Sequence, residues 1–365
     1  MRTRVRFSRR DFLETLLQLG TAVPALPAFL NGCGTRPAAP RAGSEVLGPL
    51  EPELNIYNWS DYIAPEIIPA FEREFGVRVT YDTFESSEEM VAKLQAGARG
   101  YDLVVPPTYG VTTLLASGLL APLSLRYLPN RVNLAPMFRD LAHDPLNRYT
   151  VPWQWGVTGI AWRTDLIGAT PDSWEVFLEP RYRGKLTMLD DLRDVIGAFL
   201  RLRGHSINSV DPAELEAARQ DAVVAKGNLK AYLSAPVKAQ LIAGDVWLAQ
   251  LWNGDAAQAA REQPALAWVL PKEGSTLWID SLVVPAAAPH PRAAHEFINF
   301  ILRPEIGAAI STATGYGTPN QAAMPHLERP VPYPSPNELA RLEIQEDLGR
   351  ASQLWDEVWT RIKSA

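Results

Sequence analysis

Segments with strand-type and helix-type periodicity alternate along the chain from Leu54, and this order restricts the possible folds more than any other feature. An apolar strand at residues 54–57 precedes a helix that begins at Pro65, where apolar residues recur at helical spacing. Strands at residues 77–81 and 103–105 follow, with a second helix between them. Strand–helix–strand order implies parallel strands with right-handed crossovers. Ligands of such open sheets bind at the carboxyl ends of the strands.

The same alternation recurs in the middle of the chain, with predicted strands at residues 185–189 and 246–251. The chain is longer than one average domain and fits two. No sequence repeat, low-complexity tract or long linker separates the two parts. We therefore expect an α/β fold with two lobes, built from mixed, mostly parallel sheets flanked by helices. The lobes should share a tight interface, and the chain should cross between them more than once.

Five short stretches place a carboxylate near an aromatic residue, or several carboxylates close together, and a sixth carries a tyrosine between two glycines. If the fold brings them together, they form a slot with aromatic walls and negative charge. Aromatic faces attract ammonium groups and pack on methylenes, and carboxylates form charge-assisted hydrogen bonds to amines. The pattern indicates binding of a thin organic cation, not catalysis. The stretches are residues 58–62, 101–109, 190–194, 252–255, 277–280 and 315–320.

Several of these residues also have a purely structural interpretation. Asp191 and Asp194 stand three apart at a predicted helix start, which is typical of an N-cap and a first-turn acid. Asp255 could be an N-cap as well. Trp59 and Trp252, taken alone, could belong to the core. Both interpretations stay open for these residues.

A stronger case comes from Trp278 and Asp280, because residues two apart share one face of a strand. A carboxylate beside a tryptophan is a poor choice for a core, since an unpaired buried charge is costly. Trp153 and Trp155 also share a face, and we interpret them as packing residues near the crossover between the lobes.

The N-terminus resembles an export signal of the twin-arginine type. Two adjacent arginines precede an apolar stretch of residues 16–30, which is too short and too interrupted to remain as a membrane span. The stretch ends in a bacterial lipobox pattern before Cys33, the only cysteine of the chain. We predict a signal peptide at residues 1–33 and a flexible tether at 34–51. Cys33 is either lipidated or removed with the signal.

Composition is ordinary for a soluble globular protein, with 47% hydrophobic and 21% charged residues. The net charge of −6 argues against a nucleic-acid partner, which prefers basic surfaces, and is compatible with a cationic ligand. Since the body after Cys33 has no cysteine, no disulfide can stabilise it and core burial must do so.

From Leu54 to Lys363 the sequence resembles the spermidine/putrescine-binding proteins of bacterial ABC importers, which have the type II periplasmic binding protein fold. Eight stretches carry the resemblance in the family's order. They are residues 57–62, 101–106, 151–156, 252–254, 271–274, 278–281, 299–305 and 315–320.

The resemblance implies a role in ligand binding for thirteen residues. Six match the family's aromatic box, four match its amine-pairing acids, and the others match polar contacts or an acid of the putrescine-type proteins. In that order they are Trp59, Tyr62, Tyr109, Trp252, Trp278 and Tyr316; Asp61, Asp191, Asp194 and Asp280; Ser60 and Gln345; and Asp255.

This sequence also departs from the family pattern. Pro107 stands where the family usually has serine, so a hydroxyl contact is lost at that end of the site. Asp194 stands where many spermidine binders have glutamate, which shortens its reach. Asp255 resembles the putrescine type, whereas Trp278 and Gln345 resemble the spermidine type. The chain therefore mixes the two subtypes, and we expect spermidine to be preferred, with putrescine second.

The resemblance implies two lobes with the ligand in the cleft between them. We predict a first lobe of residues 52–157 plus 279–324 and a second lobe of residues 160–275 plus 325–365, joined by a hinge at the crossovers. Ligand binding would close the lobes, and an ABC permease would recognise the closed form. We expect a monomer without cofactor or metal, in the periplasm or on the outer face of the cytoplasmic membrane, held there only by a lipid anchor.

Two alternatives to a polyamine-binding protein remain. A binding protein for another organic cation or for iron would share the two-lobed fold. An exported carboxylate-dependent hydrolase is possible because acids occur in pairs. However, the sequence lacks the Gly-x-Ser-x-Gly, His-Glu-x-x-His and Cys-x-x-Cys motifs, and its histidines have no metal-binding spacing. We therefore do not expect an enzyme.

Overall fold

The computed structural model describes residues 47–365, except residues 235, 330 and 332. The predicted signal peptide with Cys33 and most of the predicted tether lie outside the described residues. Among the described helices, none has both the length and the apolar composition to span a bilayer.

The strands and helices alternate as predicted, and parallel strands are joined through helices. The strands are β1 (Glu53–Trp59), β2 (Arg78–Phe84), β3 (Leu103–Val104), β4 (Thr150–Arg163), β5 (Leu186–Met188), β6 (Leu229–Tyr232), β7 (Leu248–Trp252), β8 (Leu266–Val269), β9 (Ser275–Val283) and β10 (Leu342–Ile344). The α-helices are α1 (Ile67–Phe75), α2 (Ser87–Gln95), α3 (Thr108–Ala116), α4 (Leu192–Leu202), α5 (Pro212–Lys226), α6 (Val237–Ala243), α7 (Asn253–Glu262), α8 (Pro291–Ile301), α9 (Pro304–Thr314), α10 (Pro336–Leu339) and α11 (Ser352–Ser364).

The strands form one mixed sheet in the order β2-β1-β3-β9-β4-β7-β5-β6, with β10 beside β9 and β8 beside β4. Pairs among β1, β2 and β3, and among β5, β6 and β7, are parallel. Every antiparallel pair between two of these strands involves β4 or β9. The sheet therefore consists of two parallel parts joined by two long antiparallel strands, β4 and β9.

Strand β4 is the main connection between the two parts of the sheet. Residues 150–157 pair with β9, and residues 158–162 pair with β7. Glycines in the middle of β4 permit close packing. A Cβ atom on Gly156 would lie 2.4 Å from the Trp278 ring, and one on Gly159 would lie 2.3 Å from the Trp268 ring. Neighbouring indoles therefore fill the space where side chains at the two crossover glycines would lie, one on each side of the sheet.

The two largest hydrophobic cores lie on either side of this connection. One contains Leu54, Phe71 and Phe297, and the other contains Trp174, Phe199 and Trp355. A third core combines Trp155 of β4 with residues of β9 and β10. These cores agree with a tight interface, while the lobe boundaries and the hinge stay predictions.

Candidate functional site

A cleft of about 650 Å³, measured to its open mouth, lies where the carboxyl ends of several strands meet. All thirteen predicted ligand-binding residues line it: Trp59, Ser60, Asp61, Tyr62, Tyr109, Asp191, Asp194, Trp252, Asp255, Trp278, Asp280, Tyr316 and Gln345. The fold thus brings together stretches that are almost three hundred residues apart, and their role in binding stays a prediction.

Secondary structure explains how these side chains reach one place. Trp59 ends β1 and Trp252 ends β7, so both follow the rule that sites form at carboxyl ends of strands. Trp278 and Asp280 lie two apart on β9 and both line the cleft, as strand geometry predicts. Gln345 directly follows β10, which pairs with β9.

Aromatic rings that line the cleft contact one another in two groups. The Trp59 and Trp252 rings meet edge to face with centroids 5.9 Å apart. Tyr316 contacts Tyr62 and Trp278 in the same way, each at 5.2 Å. Such edge-to-face contacts are favourable and leave ring faces for a ligand. Trp59 and Trp252 also pack against the hydrophobic core, so the core interpretation holds for them, and because they line the cleft as well their role in binding stays a prediction.

Gly254, in the first turn of α7, allows Tyr316 to reach its place. A Cβ atom at residue 254 would lie 2.3 Å from the Tyr316 ring. The Tyr316 hydroxyl donates to Asp255 Oδ1 at 2.8 Å. Since α7 follows β7 and Tyr316 follows α9, this contact joins two distant segments across the cleft.

Asp280 is buried among neutral partners. The Tyr62 hydroxyl donates to its Oδ2 at 2.8 Å, and no ion pair to it occurs among the described residues. Burial raises the pKa of the Asp280 carboxyl to about 8. This carboxylate therefore lacks a compensating cation in the protein itself.

Asp191 and Asp194 both serve the start of α4, while their role in ligand binding stays a prediction. Asp191 is the N-cap of α4, because its Oδ1 accepts from the Asp194 backbone N–H at 2.9 Å. Asp194 accepts from the Thr158 hydroxyl at 2.8 Å and from the Trp252 indole N–H at 3.0 Å. Burial, followed by the charge of Asp191, raises the pKa of Asp194 to about 7. Burial also raises the pKa of Asp191.

Tyr109 is held by an acid that the sequence analysis did not identify. Its hydroxyl donates to Glu88 Oε1 at 3.4 Å. Burial and the charge of Asp191 raise the pKa of Glu88 to about 8. Glu88 lies in the first turn of α2, where an acid is expected to serve the helix, so nothing in its position marked it for the site.

The ammonium group of a lysine, Lys238, lies in the cleft beside Asp61 and Asp255. Lys238, the second residue of α6, places its Nζ 2.7 Å from Asp61 Oδ2 and 3.7 Å from Asp255 Oδ1. The Gln258 amide oxygen accepts from the same Nζ at 3.1 Å. Lys238 was missed because a lone lysine in a helix has no motif. It is the single lysine or arginine among the described lining residues, against six carboxylates.

The interpretation of Asp255 as an N-cap is wrong. The N-cap of α7 is Trp252, which makes no side-chain capping bond, and Asp255 lies inside the first helical turn. Its carboxylate is directed instead to Tyr316 and Lys238. Burial raises the pKa of Asp255, and the Lys238 charge opposes that shift.

The remaining polar positions lie at the rim or the back of the cleft. The Ser60 hydroxyl donates to Glu85 Oε1 at 2.7 Å, so Glu85 adds an acid that the sequence analysis did not identify. Pro107 precedes α3 as its N-cap and lines the cleft without a hydroxyl. Within the described part of the chain, no group of three or more His, Cys, Asp or Glu side chains is arranged to hold a metal ion.

Trp153 and Trp155 do not line the cleft. Trp153 is buried in the first core and Trp155 in the third. Both indoles are packing residues, as the sequence analysis predicts.

Comparisons with known proteins agree with this geometry. Residues 66–331 match the family of bacterial extracellular solute-binding proteins. The spermidine/putrescine-binding periplasmic protein of Salmonella typhimurium is 37% identical over 318 residues, covering 85% of this chain and 91% of that protein. The putrescine-binding periplasmic protein of Escherichia coli is 33% identical, with 85% and 91% covered. A solved spermidine/putrescine ABC transporter protein of Listeria monocytogenes superposes with a TM-score of 0.81 at 34% identity, covering 86% of this chain and 99% of that one.

Proposed function

The chain belongs to the bacterial extracellular solute-binding proteins, and from this premise we propose that it captures a polyamine and delivers it to an ABC importer. The membership agrees with the resemblance found in the sequence. The proposal that the ligand is a polyamine is supported by the names of the relatives and by the chemistry of the cleft.

One observation carries the proposal. Asp280 and Asp194 are buried carboxylates whose partners in the described residues are a tyrosine hydroxyl, a threonine hydroxyl and an indole N–H. Neutral donors do not balance a buried negative charge, so each carboxylate is costly in the empty protein. A ligand with ammonium groups supplies the missing charges, and its methylenes fit between the aromatic rings.

Among the polyamines, we propose spermidine as the preferred ligand and putrescine as the second. Three acidic positions line the cleft: Asp280, the pair Asp191 and Asp194, and the pair Asp61 and Asp255. A triamine can engage three positions and a diamine two, so the triamine gains one more charged contact, although Lys238 already lies between Asp61 and Asp255 and makes that gain smaller.

The finer points of location also belong to this proposal. The twin-arginine pattern supports export, and Cys33 supports a lipid anchor on the outer face of the cytoplasmic membrane. The protein then acts as a monomer that closes on its ligand and docks on a permease. Cys33→Ala should move the protein from the membrane fraction to the soluble fraction. An unchanged membrane fraction would contradict lipidation at that residue.

The direct test is a thermal-shift screen of the purified protein with polyamines, amino acids and sugars. Spermidine and putrescine should raise the melting temperature, because a ligand at about a hundredfold above its Kd stabilises the native state by about 2.7 kcal/mol. 1,4-Butanediol is the matched control, since it keeps the carbon chain of putrescine and lacks the charges. Stabilisation by sugars but not by amines would contradict the proposal.

A further inference from the structure

We propose that Lys238 is a specificity-determining residue whose ammonium group occupies the position between Asp61 and Asp255 where a third ligand amine would bind. The inference rests on the proposed polyamine function. It concerns the margin between triamines and diamines rather than the ability to bind either.

The contacts of Lys238 are those of a bound amine. A primary ammonium has three N–H donors. Lys238 Nζ lies 2.7 Å from Asp61 Oδ2, 3.1 Å from Gln258 Oε1 and 3.7 Å from Asp255 Oδ1. Its side chain is 13% exposed, and Lys238 is one of the residues that line the cleft. A ligand ammonium at this position would meet the same acceptors.

Two charges of the same sign cannot share this position without a cost. A ligand amine must either displace the Lys238 ammonium from Asp61 and Asp255 or lie beside it. Both reduce what the third amine contributes to affinity. Asp280 and Asp194 have no lysine or arginine in ion-pair contact among the described residues, and the charge of Arg193, which acts on Asp194 without such a contact, is the same for diamines and triamines.

Lys238 also has a possible mechanical role, which the test has to separate from the proposed one. Asp61 follows β1 and Lys238 lies on α6, so their ion pair joins elements of the two proposed lobes. Loss of such a bridge would change the affinities for diamines and triamines by the same factor. The ratio of the two affinities removes that common factor.

The experiment measures Kd for putrescine and for spermidine by titration calorimetry on the purified wild-type protein and on Lys238→Met. We expect the preference for spermidine over putrescine to rise by about tenfold or more, as for one gained charged hydrogen bond. Lys238→Arg retains the charge and should leave the ratio near that of wild type. Lys230→Met removes an exposed lysine of β6 and is the matched control.

A double variant identifies the partner of the gained amine. In Lys238→Met/Asp255→Asn the increased ratio should return toward the wild-type value, because the freed position has lost a carboxylate. If Lys238→Met impairs folding in a thermal melt, Lys238→Gln replaces it in both proteins.

The outcomes are distinguishable. Equal changes in both affinities, with the ratio unchanged, would overturn the inference and leave the proposed function standing. No measurable binding of either amine to wild type or to any variant would overturn the proposed function and this inference together.

Discussion

The acids at the two ends of the cleft differ in what balances them. At one end, Asp61 and Asp255 have the Lys238 ammonium between them. At the other end, Asp280 and Asp194 have only hydroxyl and indole donors among the described residues. Hydrogen bonds reach carboxylate oxygens at both ends, but a cation in direct contact occurs at one end alone, since the charge of Arg193 acts on Asp191 and Asp194 without an ion pair among the described residues. We call Asp61 with Asp255 the balanced end and Asp280 with Asp194 the unbalanced end.

This difference indicates which carboxylates we expect to bind the ligand's ammonium groups. Burial raises the pKa of Asp280 to about 8 and that of Asp194 to about 7. Both values are raised because neutral donors stabilise a buried carboxylate less well than a cation in contact would. At the end that contains Lys238, a protein ammonium already contacts the carboxylates. At the other end, protons neutralise the carboxyl groups of the empty cleft near neutral pH, and we expect ligand amines to replace those protons and to make their main charged contacts there.

The largest expected effect is a pH dependence of binding. Ligand amines stay protonated between pH 6 and pH 8, whereas Asp280 and Asp194 take up protons in the empty cleft as the pH falls through their raised pKa values. Affinity for putrescine should therefore fall by about tenfold to a hundredfold from pH 8 to pH 6. Titration calorimetry in buffers of different ionisation enthalpy should also detect proton release on binding. A flat profile with no proton release would show that the two ends do not differ in charge balance.

Asp280→Asn should remove the strongest contact at the unbalanced end and lower affinity by about 1.5–3 kcal/mol. It should also flatten the pH profile. Asp245→Asn, at an exposed position outside the cleft, is the control and should leave affinity unchanged.

The stability of the empty protein provides a second readout for Asp280. A carboxyl whose folded pKa is raised binds more protons folded than unfolded, so its contribution to stability is lost as the pH rises from about 4 to about 8. At pH 7 the Asn variant should melt no lower than wild type. A large fall in melting temperature with little loss of binding would mean that Asp280 serves the fold.

Trp278→Ala tests the apolar wall between the two ends. The ring packs on Tyr316 and covers Gly156, and its loss should weaken binding by about 1–3 kcal/mol for both amines. Trp268→Ala removes an indole that covers Gly159 but does not line the cleft, so it controls for lost packing. Equal losses of affinity in the two variants would remove Trp278 from the list of ligand contacts.

Asp61→Asn, at the balanced end, should cause the smallest loss of ligand affinity. The Asp61 side chain is 64% exposed, and exposed ion pairs contribute about 0–1 kcal/mol. Asn also tolerates the left-handed backbone of residue 61, where φ is 52°, so the substitution tests charge alone. Melting temperature should change little, and high salt should erase the difference. A loss comparable to that of Asp280→Asn would mean that the two ends are equivalent.

Much of the unbalanced end could be predicted from sequence, because its residues stand in patterns with a physical meaning. Trp278 and Asp280 share a strand face, and Asp191 precedes a helix that starts after a buried strand. The balanced end could not be predicted in the same way. Lys238 enters the cleft from a short helix with no side-chain cap, and Asp61 lies far from it in the sequence. Such a pair depends on how α6 packs, which no local pattern records.

Hydrogen bonds between side chains of distant segments could not be predicted from the sequence either. The contact of Tyr62 with Asp280 and that of Tyr316 with Asp255 depend on the assembled sheet. For Asp255 the start of the helix was misplaced instead. The N-cap of α7 is Trp252, which makes no side-chain capping bond, so no sequence signal marks where the helix begins. Local periodicity predicts elements well, whereas the tertiary contacts between them decide which atoms meet.

The pairing of β4 with β9 has a consequence for when the chain can fold during synthesis. Thr150 pairs with Val283, and residues on either side of β4 belong to different parts of the sheet. A nascent chain that has emerged only as far as α7 lacks β9 and cannot complete the sheet around β1 and β3. Contacts between such distant residues form late and slowly. We therefore expect the native cleft to assemble only after nearly the whole chain has left the ribosome, so that truncated products cannot compete for the ligand.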